Sequence, residues 1–286
     1  MTTTHSKFFV TPLLLATVLT IAGFAMTTMT AEARSALPVD SNWHYNFKVP
    51  GTLNETGSMS ESSSPYFWLN SGGVLILDDG EGHTMQGKMR QGSKWQALYG
   101  RNNPLDTDDG YLPQNLFRLV TRSTWEDVSQ ELRFKVNKMN LTDTPNRDGY
   151  SGILLMSRYK DGDNLYYAGI RQDGAAVIKK KSGGSYSTIA SESGVFGGSY
   201  NRNSSPNLIP MNTWMGLRLD TETMSDGSVK VGLYLDKKDS GSWNKILEVI
   251  DKKGDSDGSP VTGKAHTGIR TDYMDVSFDD YVHKAL

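Results

Sequence analysis

The nine residues from Val128 to Val136, VSQELRFKV, alternate between two kinds of side chain. Every second residue, starting from Val128, belongs to one set: Val128, Gln130, Leu132, Phe134 and Val136. The charged residues Glu131, Arg133 and Lys135 lie at the positions between them. Successive side chains of a β-strand point to opposite faces of its sheet. The stretch therefore predicts a strand with one buried, mainly apolar face and one charged face in water, which is the pattern of an antiparallel sandwich.

The same alternation recurs further along the chain, in WMGLRLD (214–220) and VKVGLYLD (229–236). At least ten segments of strand length follow residue 66, and turn residues separate most of them. One segment, LPQNLFRLVTRSTWEDV (112–128), fits either a helix or a strand with a connecting turn. We predict an all-β fold, an antiparallel two-sheet β-sandwich.

The composition agrees with this fold class and excludes several functions. The 286 residues are 37% hydrophobic, which is enough for a sizeable core, and the 29 glycines and 13 tyrosines are typical of strands joined by turns. A net charge of −2 argues against a nucleic-acid or membrane-surface binder, so any basic site must be local. The chain has no cysteine, which excludes disulfides, thiol catalysis and zinc–thiolate sites.

The N-terminal residues 1–33 have the features of a secretory signal peptide. A weakly basic start precedes an apolar run, and Ala31-Glu32-Ala33 fits a cleavage site. An uncleaved membrane anchor is the alternative, because the apolar run is long for a signal. We expect export, then a low-order linker over 34–65 with a candidate first strand around Trp43 and Tyr45, and one β domain over 66–286.

The stretch NLYYAGIRQDGAAVIKKKSGG (164–184) combines tyrosines with one arginine and three lysines. It is either a solvated surface hairpin or part of a site for an anionic ligand. A two-residue turn at Asp173-Gly174 would place Tyr167, Arg171 and Lys180 on one face of the hairpin. We predict that this is the binding face.

The C-terminal half carries a resemblance to a known superfamily. Trp214 opens a strand, and DGSVKVGLYLD, WNKILEVID and GIRTDYMDVSFDDYV follow in that order. This order resembles the concanavalin A-like lectin/glucanase superfamily over residues 66–286. The resemblance implies a jelly-roll sandwich with a glycan ligand, but that fold hosts lectins, laminin-G-like modules, hydrolases and lyases.

The residues favour a lyase over a hydrolase within this superfamily. Laminarinase-type hydrolases carry Glu-x-Asp-x-x-Glu on one strand, whereas WEDVSQEL places Glu126 and Glu131 on opposite faces. Cleavage of a uronate polymer by β-elimination needs a cation for the sugar carboxylate and an acid/base pair. Arginine and tyrosine suit these two roles.

A partial resemblance to alginate lyases points the same way. QELRFK (130–135) and YYAGIRQ (166–172) keep parts of two lyase strands, but the Gln-x-His element is missing and Arg171 replaces a second tyrosine. We predict Tyr167, Arg171 and Lys180 as catalytic residues, with His83 as the candidate proton carrier and His266 as the alternative to it. The predicted substrate-binding residues are Tyr166, Arg133, Lys135, Arg158, Arg218 and Tyr234.

The resemblance also implies a structural metal. Jelly rolls often hold Ca²⁺ between their first and last strands, so Asp279 and Asp280 in FDDYV are the candidate ligands. The predicted partner is an anionic polysaccharide, and we expect a monomer that binds no nucleic acid and meets a membrane only through an N-terminal anchor. One alternative function is a noncatalytic glycan-binding or adhesion module of the laminin-G/lectin type, which would use the same groove without a proton-transfer pair. The other is a glycoside hydrolase that lacks the usual Glu-x-Asp-x-x-Glu motif.

Overall fold

The computed structural model describes residues 42–255 and 258–286, so the predicted signal peptide (1–33) lies outside the described residues. The described chain contains sixteen strands, one α-helix and two single 3₁₀ turns. In chain order the strands are β1 (Trp43–Tyr45), β2 (Gly51–Asn54), β3 (Phe67–Ser71), β4 (Val74–Asp78), β5 (Glu81–Thr84), β6 (Leu116–Thr121), β7 (Val128–Met139), β8 (Gly152–Asp161), β9 (Asn164–Arg171), β10 (Ala176–Ser182), β11 (Ser185–Glu192), β12 (Met215–Thr223), β13 (Val229–Asp236), β14 (Asn244–Asp251), β15 (His266–Asp272) and β16 (Met274–Ala285).

The strands form two antiparallel sheets. The nine-stranded sheet has the order β14-β13-β12-β7-β16-β5-β4-β2, with β1 also paired to β16. The seven-stranded sheet has the order β11-β10-β9-β8-β15-β6-β3. The main hydrophobic core draws on strands of both sheets. The prediction of an all-β, antiparallel two-sheet sandwich is confirmed.

Strand β7 shows how the sequence pattern produces this core. Leu132, Phe134 and Val136 are fully buried, whereas Arg133 and Lys135 are partly exposed on the outer face of the nine-stranded sheet. Burying one such apolar side chain contributes about 1.5–3 kcal/mol relative to leaving it in water. The alternation therefore fixes which side of β7 faces the other sheet.

The sandwich begins before residue 66. Strands β1 and β2 pair within the nine-stranded sheet, and Phe47 and Leu53 are buried in the main core. The segment 112–128 contains a 3₁₀ turn (Pro113–Asn115) followed by β6. Of the two predicted alternatives, a helix or a strand with a connecting turn, the structure has the strand.

The α-helix, α1 (Lys94–Asn102), was not predicted from the sequence. Its N-cap Ser93 accepts a hydrogen bond from the backbone N–H of Gln96, and the helix buries Trp95 and Tyr99. Two buried residues give too short an apolar stripe to reveal a helix by periodicity. Within the described ranges, no helix is long and apolar enough to cross a membrane.

The β9–β10 hairpin has a register that differs by one residue from the predicted one. The backbone N–H of Arg171 donates to the carbonyl of Ala175 at 2.8 Å, which leaves a three-residue loop ending at Gly174 with φ 76°. The loop is held by Gln172, whose side chain is fully buried and whose backbone N–H donates to the Ser151 carbonyl at 2.7 Å. A type I turn followed by a left-handed glycine is a common three-residue connection.

The register shift moves all three lysines of β10 to the opposite face of the hairpin from the predicted one. Lys179 lies opposite Tyr167 and Lys180 lies opposite Tyr166. The predicted grouping of Tyr167 with Lys180 is therefore wrong, because a slip of one residue moves a side chain to the other face.

Candidate functional site

A cleft of about 590 Å³ lies on the outer face of the seven-stranded sheet. Leu154, Tyr167 and Arg270 from three neighbouring strands lie at its base, and Lys179 and Tyr186 lie on one side. The other side is lined by residues of the loop before β8, together with Asp106 and Tyr273, as follows: Pro145, Asn146, Asp148, Tyr150 and Ser151. We call this site the cleft.

Arg270 and two tyrosines form the centre of the cleft. The Arg270 Nε donates to both carboxylate oxygens of Asp272, at 3.0 and 3.2 Å, and its guanidinium carbon lies 5.2 Å from the Tyr167 ring centroid. The rings of Tyr167 and Tyr186 are stacked, with centroids 6.2 Å apart. Tyr167 is only 2% exposed, whereas Tyr186 is 57% exposed and open to a ligand.

The two tyrosines have different acidities. Burial raises the pKa of Tyr167. Burial also acts to raise the pKa of Tyr186, but the charge of Arg270 and hydrogen bonds from Arg270 and Tyr167 outweigh it, so that this pKa is lowered. Tyr167 therefore keeps its proton and donates to Tyr186, which loses its own proton more easily than an ordinary tyrosine does.

Lys179 supplies a second cation at the side of the cleft. In the part of the chain that the structure describes, no carboxylate lies within ion-pair distance of its ammonium, which lies 5.8 Å from the Tyr150 ring centroid. Burial and the neighbouring charges of Arg171 and Arg270 lower the pKa of Lys179. A bound anion would relieve this repulsion between cations.

The loop side of the cleft is fixed by one carboxylate. Asp106 accepts hydrogen bonds from Thr144 at 2.7 Å, Asn146 at 3.1 Å and the Tyr273 hydroxyl at 2.8 Å. Burial and the Asp106 carboxylate raise the pKa of Tyr273, which keeps this hydroxyl a donor. The loop is thus held in place before any ligand binds.

A smaller hollow of about 280 Å³ adjoins the cleft, because Leu116 lines both. Glu55, Tyr99 and Arg118 also line it. The Glu55 carboxylate accepts from the Tyr99 hydroxyl at 2.6 Å and from the Gly73 backbone N–H at 2.8 Å, and burial raises its pKa. The cleft and this neighbouring hollow are together called the groove.

Only part of the predicted catalytic set lies in this groove. Tyr167 lines the cleft. Arg171 lies at its rim, where its guanidinium carbon is 4.1 Å from the Tyr150 ring centroid and its side chain pairs with Asp173.

Lys180 does not reach the cleft. Its side chain is fully buried between the sheets, where Nζ contacts both carboxylate oxygens of Asp251 at 2.9 and 3.0 Å. The Tyr166 hydroxyl donates to the same carboxylate at 2.5 Å, and burial raises the pKa of Tyr166. The predicted catalytic role of Lys180 and substrate-binding role of Tyr166 are corrected, because both side chains are enclosed in the interior.

His83 is on the wrong sheet for the predicted proton transfer. It lies on β5 of the nine-stranded sheet, and its Nε2 is 2.6 Å from a carboxylate oxygen of Asp78. Tyr167 lies on the seven-stranded sheet with its side chain in the cleft. The core of the sandwich therefore separates the two residues.

The predicted substrate-binding residues are likewise divided. Four of them lie on strands of the nine-stranded sheet with partly exposed side chains, namely Arg133, Lys135, Arg218 and Tyr234. Arg158 is 1% exposed and donates to Asp127 at 2.9 Å and to the Gly263 carbonyl at 2.7 Å. The single predicted groove is corrected, because the period-two alternation says nothing about which sheet a strand joins.

Asp279 and Asp280 already have a cation of the chain between them. Arg133 Nη1 donates to Asp279 at 2.9 Å and to Asp280 at 3.2 Å. Arg133 thus pairs with both carboxylates in this structure, and calcium binding at Asp279 and Asp280 stays a prediction. Within 42–255 and 258–286, no group of three or more metal-ligating His, Asp or Glu side chains was found.

Sequence reasoning missed Arg270 and Tyr186 and put Lys179 on the wrong face. The sequence does contain a signal for Tyr186, because the pair Gly183-Gly184 is typical of a two-residue hairpin turn. In the structure both glycines have positive φ, and the turn places Tyr186 opposite Lys181. Arg270 gives no such local signal, since β15 lies between β8 and β6 and far from them in sequence.

Comparisons with known proteins add an architectural likeness. No known family model matches the chain, and no curated protein matches it. Among solved structures, the carbohydrate-binding module CBM66 from Bacillus subtilis is 17% identical over 59% of this chain and 82% of its own, with a TM-score of 0.40. A protein of unknown function with a galectin-like fold from Bacillus subtilis is 14% identical over 83% of this chain and 97% of its own, with a TM-score of 0.44.

A larger enzyme shows a similar likeness. The GH43 protein BlXynB from Bacillus licheniformis is 11% identical, with a TM-score of 0.45, and the match covers 85% of this chain but only 39% of the enzyme. Likenesses at this level carry no argument about a site.

Proposed function

We propose that the protein is a polysaccharide lyase that binds an acidic, uronate-containing glycan in the cleft and cleaves it by β-elimination. The supporting observation is the grouping of Lys179, Arg270 and the half-exposed Tyr186 around one cleft. Two cations can hold a sugar carboxylate, and a tyrosine of lowered pKa can act as a base.

The binding step follows from the charges and shape of the groove. Lys179 repels Arg171 and Arg270, so a carboxylate that enters between these cations gains interaction energy. The aromatic faces of Tyr150 and Tyr186, both more than half exposed, offer flat surfaces to sugar rings. The hollow beyond Leu116 extends the groove and suits a chain of sugars rather than one.

The chemical step needs one proton carrier and a stabilised carboxylate. The Tyr186 phenolate takes the proton from C5 of the uronate, and the electron pair left on C5 forms the C4–C5 double bond. The bond from C4 to the glycosidic oxygen breaks, and that oxygen takes the proton that Tyr186 has gained. Lys179 and Arg270 stabilise the negative charge that develops on the uronate carboxylate. Tyr167 donates a hydrogen bond to Tyr186 and so favours its phenolate form.

A noncatalytic glycan-binding module is the second candidate. Two observations favour it: the described lining of the cleft has no histidine, and Arg270 is already bonded to Asp272. Such a module would bind the same polymers without breaking them.

The test is the ultraviolet absorbance of the unsaturated sugar after the protein is mixed with alginate, glucuronan or pectate. For the lyase, we expect product from at least one polymer and a loss of about 10²- to 10⁴-fold in turnover for Tyr186→Phe. The matched control is Tyr234→Phe, a tyrosine on the nine-stranded sheet, which should keep its activity. Binding by the wild type without any product would instead establish the module.

A further inference from the structure

The outer face of the nine-stranded sheet carries two tryptophans that the proposed lyase reaction does not use. Trp214 directly precedes β12 and Trp243 directly precedes β14, and both side chains are partly exposed. In the described chain, neither indole N–H has a hydrogen-bond partner, whereas the indoles of Trp43, Trp68 and Trp95 each donate to an oxygen. Two indoles in contact with water thus have free donors.

The two indoles lie along one strand. The Trp243 ring covers Gly216, where an added Cβ would lie only 2.7 Å from the Trp243 Cη2. Trp214 and Gly216 are two residues apart and share a face of β12, so their Cα atoms are separated by roughly 6.6 Å. The next residue on this face, Arg218, lies under the ring of Tyr234 at 4.7 Å. Three aromatic rings therefore follow one another along β12.

The charges around the indoles are already paired within the chain. Arg133 and Lys135 lie 4.9 and 4.6 Å from the Trp214 ring centroid. Arg133 pairs with Asp239, Asp279 and Asp280, and Lys135 contacts Glu81 at 3.3 Å. Unlike Lys179 in the cleft, these cations have carboxylate partners, so this face gives little net attraction for an anion.

A hollow of about 390 Å³ lies beside Trp243, and Arg133, Asp239 and Asp280 line it as well. Asp239 and Asp280 bring carboxylate oxygens into its lining, next to the Trp243 ring. The hydroxyl groups of a sugar both donate and accept hydrogen bonds, so they can bind carboxylate oxygens and an indole N–H. The flat apolar face of a pyranose ring can pack against an aromatic ring. A protein partner would need a continuous apolar patch, whereas ion pairs separate these rings.

We infer that the outer face of the nine-stranded sheet is a second binding surface, organised by Trp214 and Trp243, for an uncharged stretch of glycan. This surface lies on the side of the sandwich opposite the cleft and takes no part in proton transfer. The inference is independent of the proposed lyase reaction.

The test is affinity electrophoresis in gels that each contain one neutral polysaccharide: hydroxyethylcellulose, mixed-linkage β-glucan, xyloglucan or galactomannan. We expect retardation of the wild type in at least one gel. Trp214→Ala and Trp243→Ala should each weaken it by about tenfold, because an aromatic anchor is lost. Tyr186→Ala in the cleft is the matched control and should keep full retardation. Circular dichroism of each variant verifies that the sandwich is folded.

The outcomes separate this surface from the cleft. Failure of every neutral polysaccharide to retard the wild type would overturn the inference, and so would retardation that survives both tryptophan substitutions. Retardation lost only in Tyr186→Ala would assign neutral glycans to the cleft and also overturn it. Cleavage of uronate polymers is measured separately, so a failed lyase assay leaves this result unaffected.

Discussion

The two sides of the β9–β10 hairpin place similar residues in opposite environments. On the outer side, Lys179 and Tyr167 lie next to each other in the cleft, near Arg270. On the inner side, Lys180 and Tyr166 lie next to each other in the core and share Asp251. The hairpin thus contains two lysine–tyrosine pairs. Lys179 and Tyr167 face the candidate ligand site, whereas Lys180 and Tyr166 connect the two sheets through Asp251.

The difference lies in what each ammonium contacts. Lys180 contacts a carboxylate that also accepts from Tyr166, so a buried cation and a buried anion compensate each other. Lys179 has arginines for neighbours and a pKa lowered by burial and by their charge. The inner pair therefore stabilises the fold, whereas the outer pair leaves positive charge available for binding.

The largest expected effect comes from breaking the inner pair. Asp251→Ala removes the carboxylate that Lys180 and Tyr166 contact, and we expect the free energy of unfolding to fall by roughly 3 kcal/mol or more. Urea unfolding followed by circular dichroism measures it. The matched control is Asp163→Ala, which removes the exposed carboxylate that contacts Lys181 at 3.0 Å on the outer side, and it should cost about 0.5 kcal/mol. Equal losses in the two variants would contradict the comparison.

The next effect comes from removing the outer cation. Lys179→Ala should weaken binding of an oligouronate by about tenfold, because one charged hydrogen bond to the carboxylate is lost. It should not lower the stability of the fold, because it also relieves repulsion by Arg171 and Arg270. Calorimetric titration measures the first effect and urea unfolding the second. Binding that is unchanged in Lys179→Ala would remove this lysine from the site.

The smallest effect is a pH dependence of stability. The pKa of Lys179 is lower in the folded protein than the ordinary value near 10.5. Between the two values, the unfolded chain holds a proton that the folded protein has lost, so stability rises with pH in this window. Lys179→Met lacks this contribution, so the stability of the wild type relative to the variant should rise with pH as the pH approaches about 10.5 from below. Parallel stability profiles in urea unfolding would show that Lys179 titrates normally.

The sequence predicted the fold better than the site. Alternation in β7, β12 and β13 depends only on burial of one face, and the structure has the predicted apolar residues inside. The site depends on register and on strand order. The hairpin register followed from one buried glutamine, Gln172, whose contacts lie outside the hairpin. Arg270 reaches Tyr167 only because β15 joins the same sheet, which local periodicity does not reveal.

Gly174 ends the three-residue loop that sets this hairpin. Because side chains alternate along a strand, the number of residues in the loop determines which β10 side chains lie on the same face as a given β9 side chain. Loss or gain of one residue there would exchange every side chain of β10 between ligand site and core. A change in the length of this loop therefore alters more contacts than replacement of any one lysine that follows it. The length of the Gly174 loop thus controls the cleft and the core together, because the same register places Lys179 in the cleft and Lys180 beside Asp251.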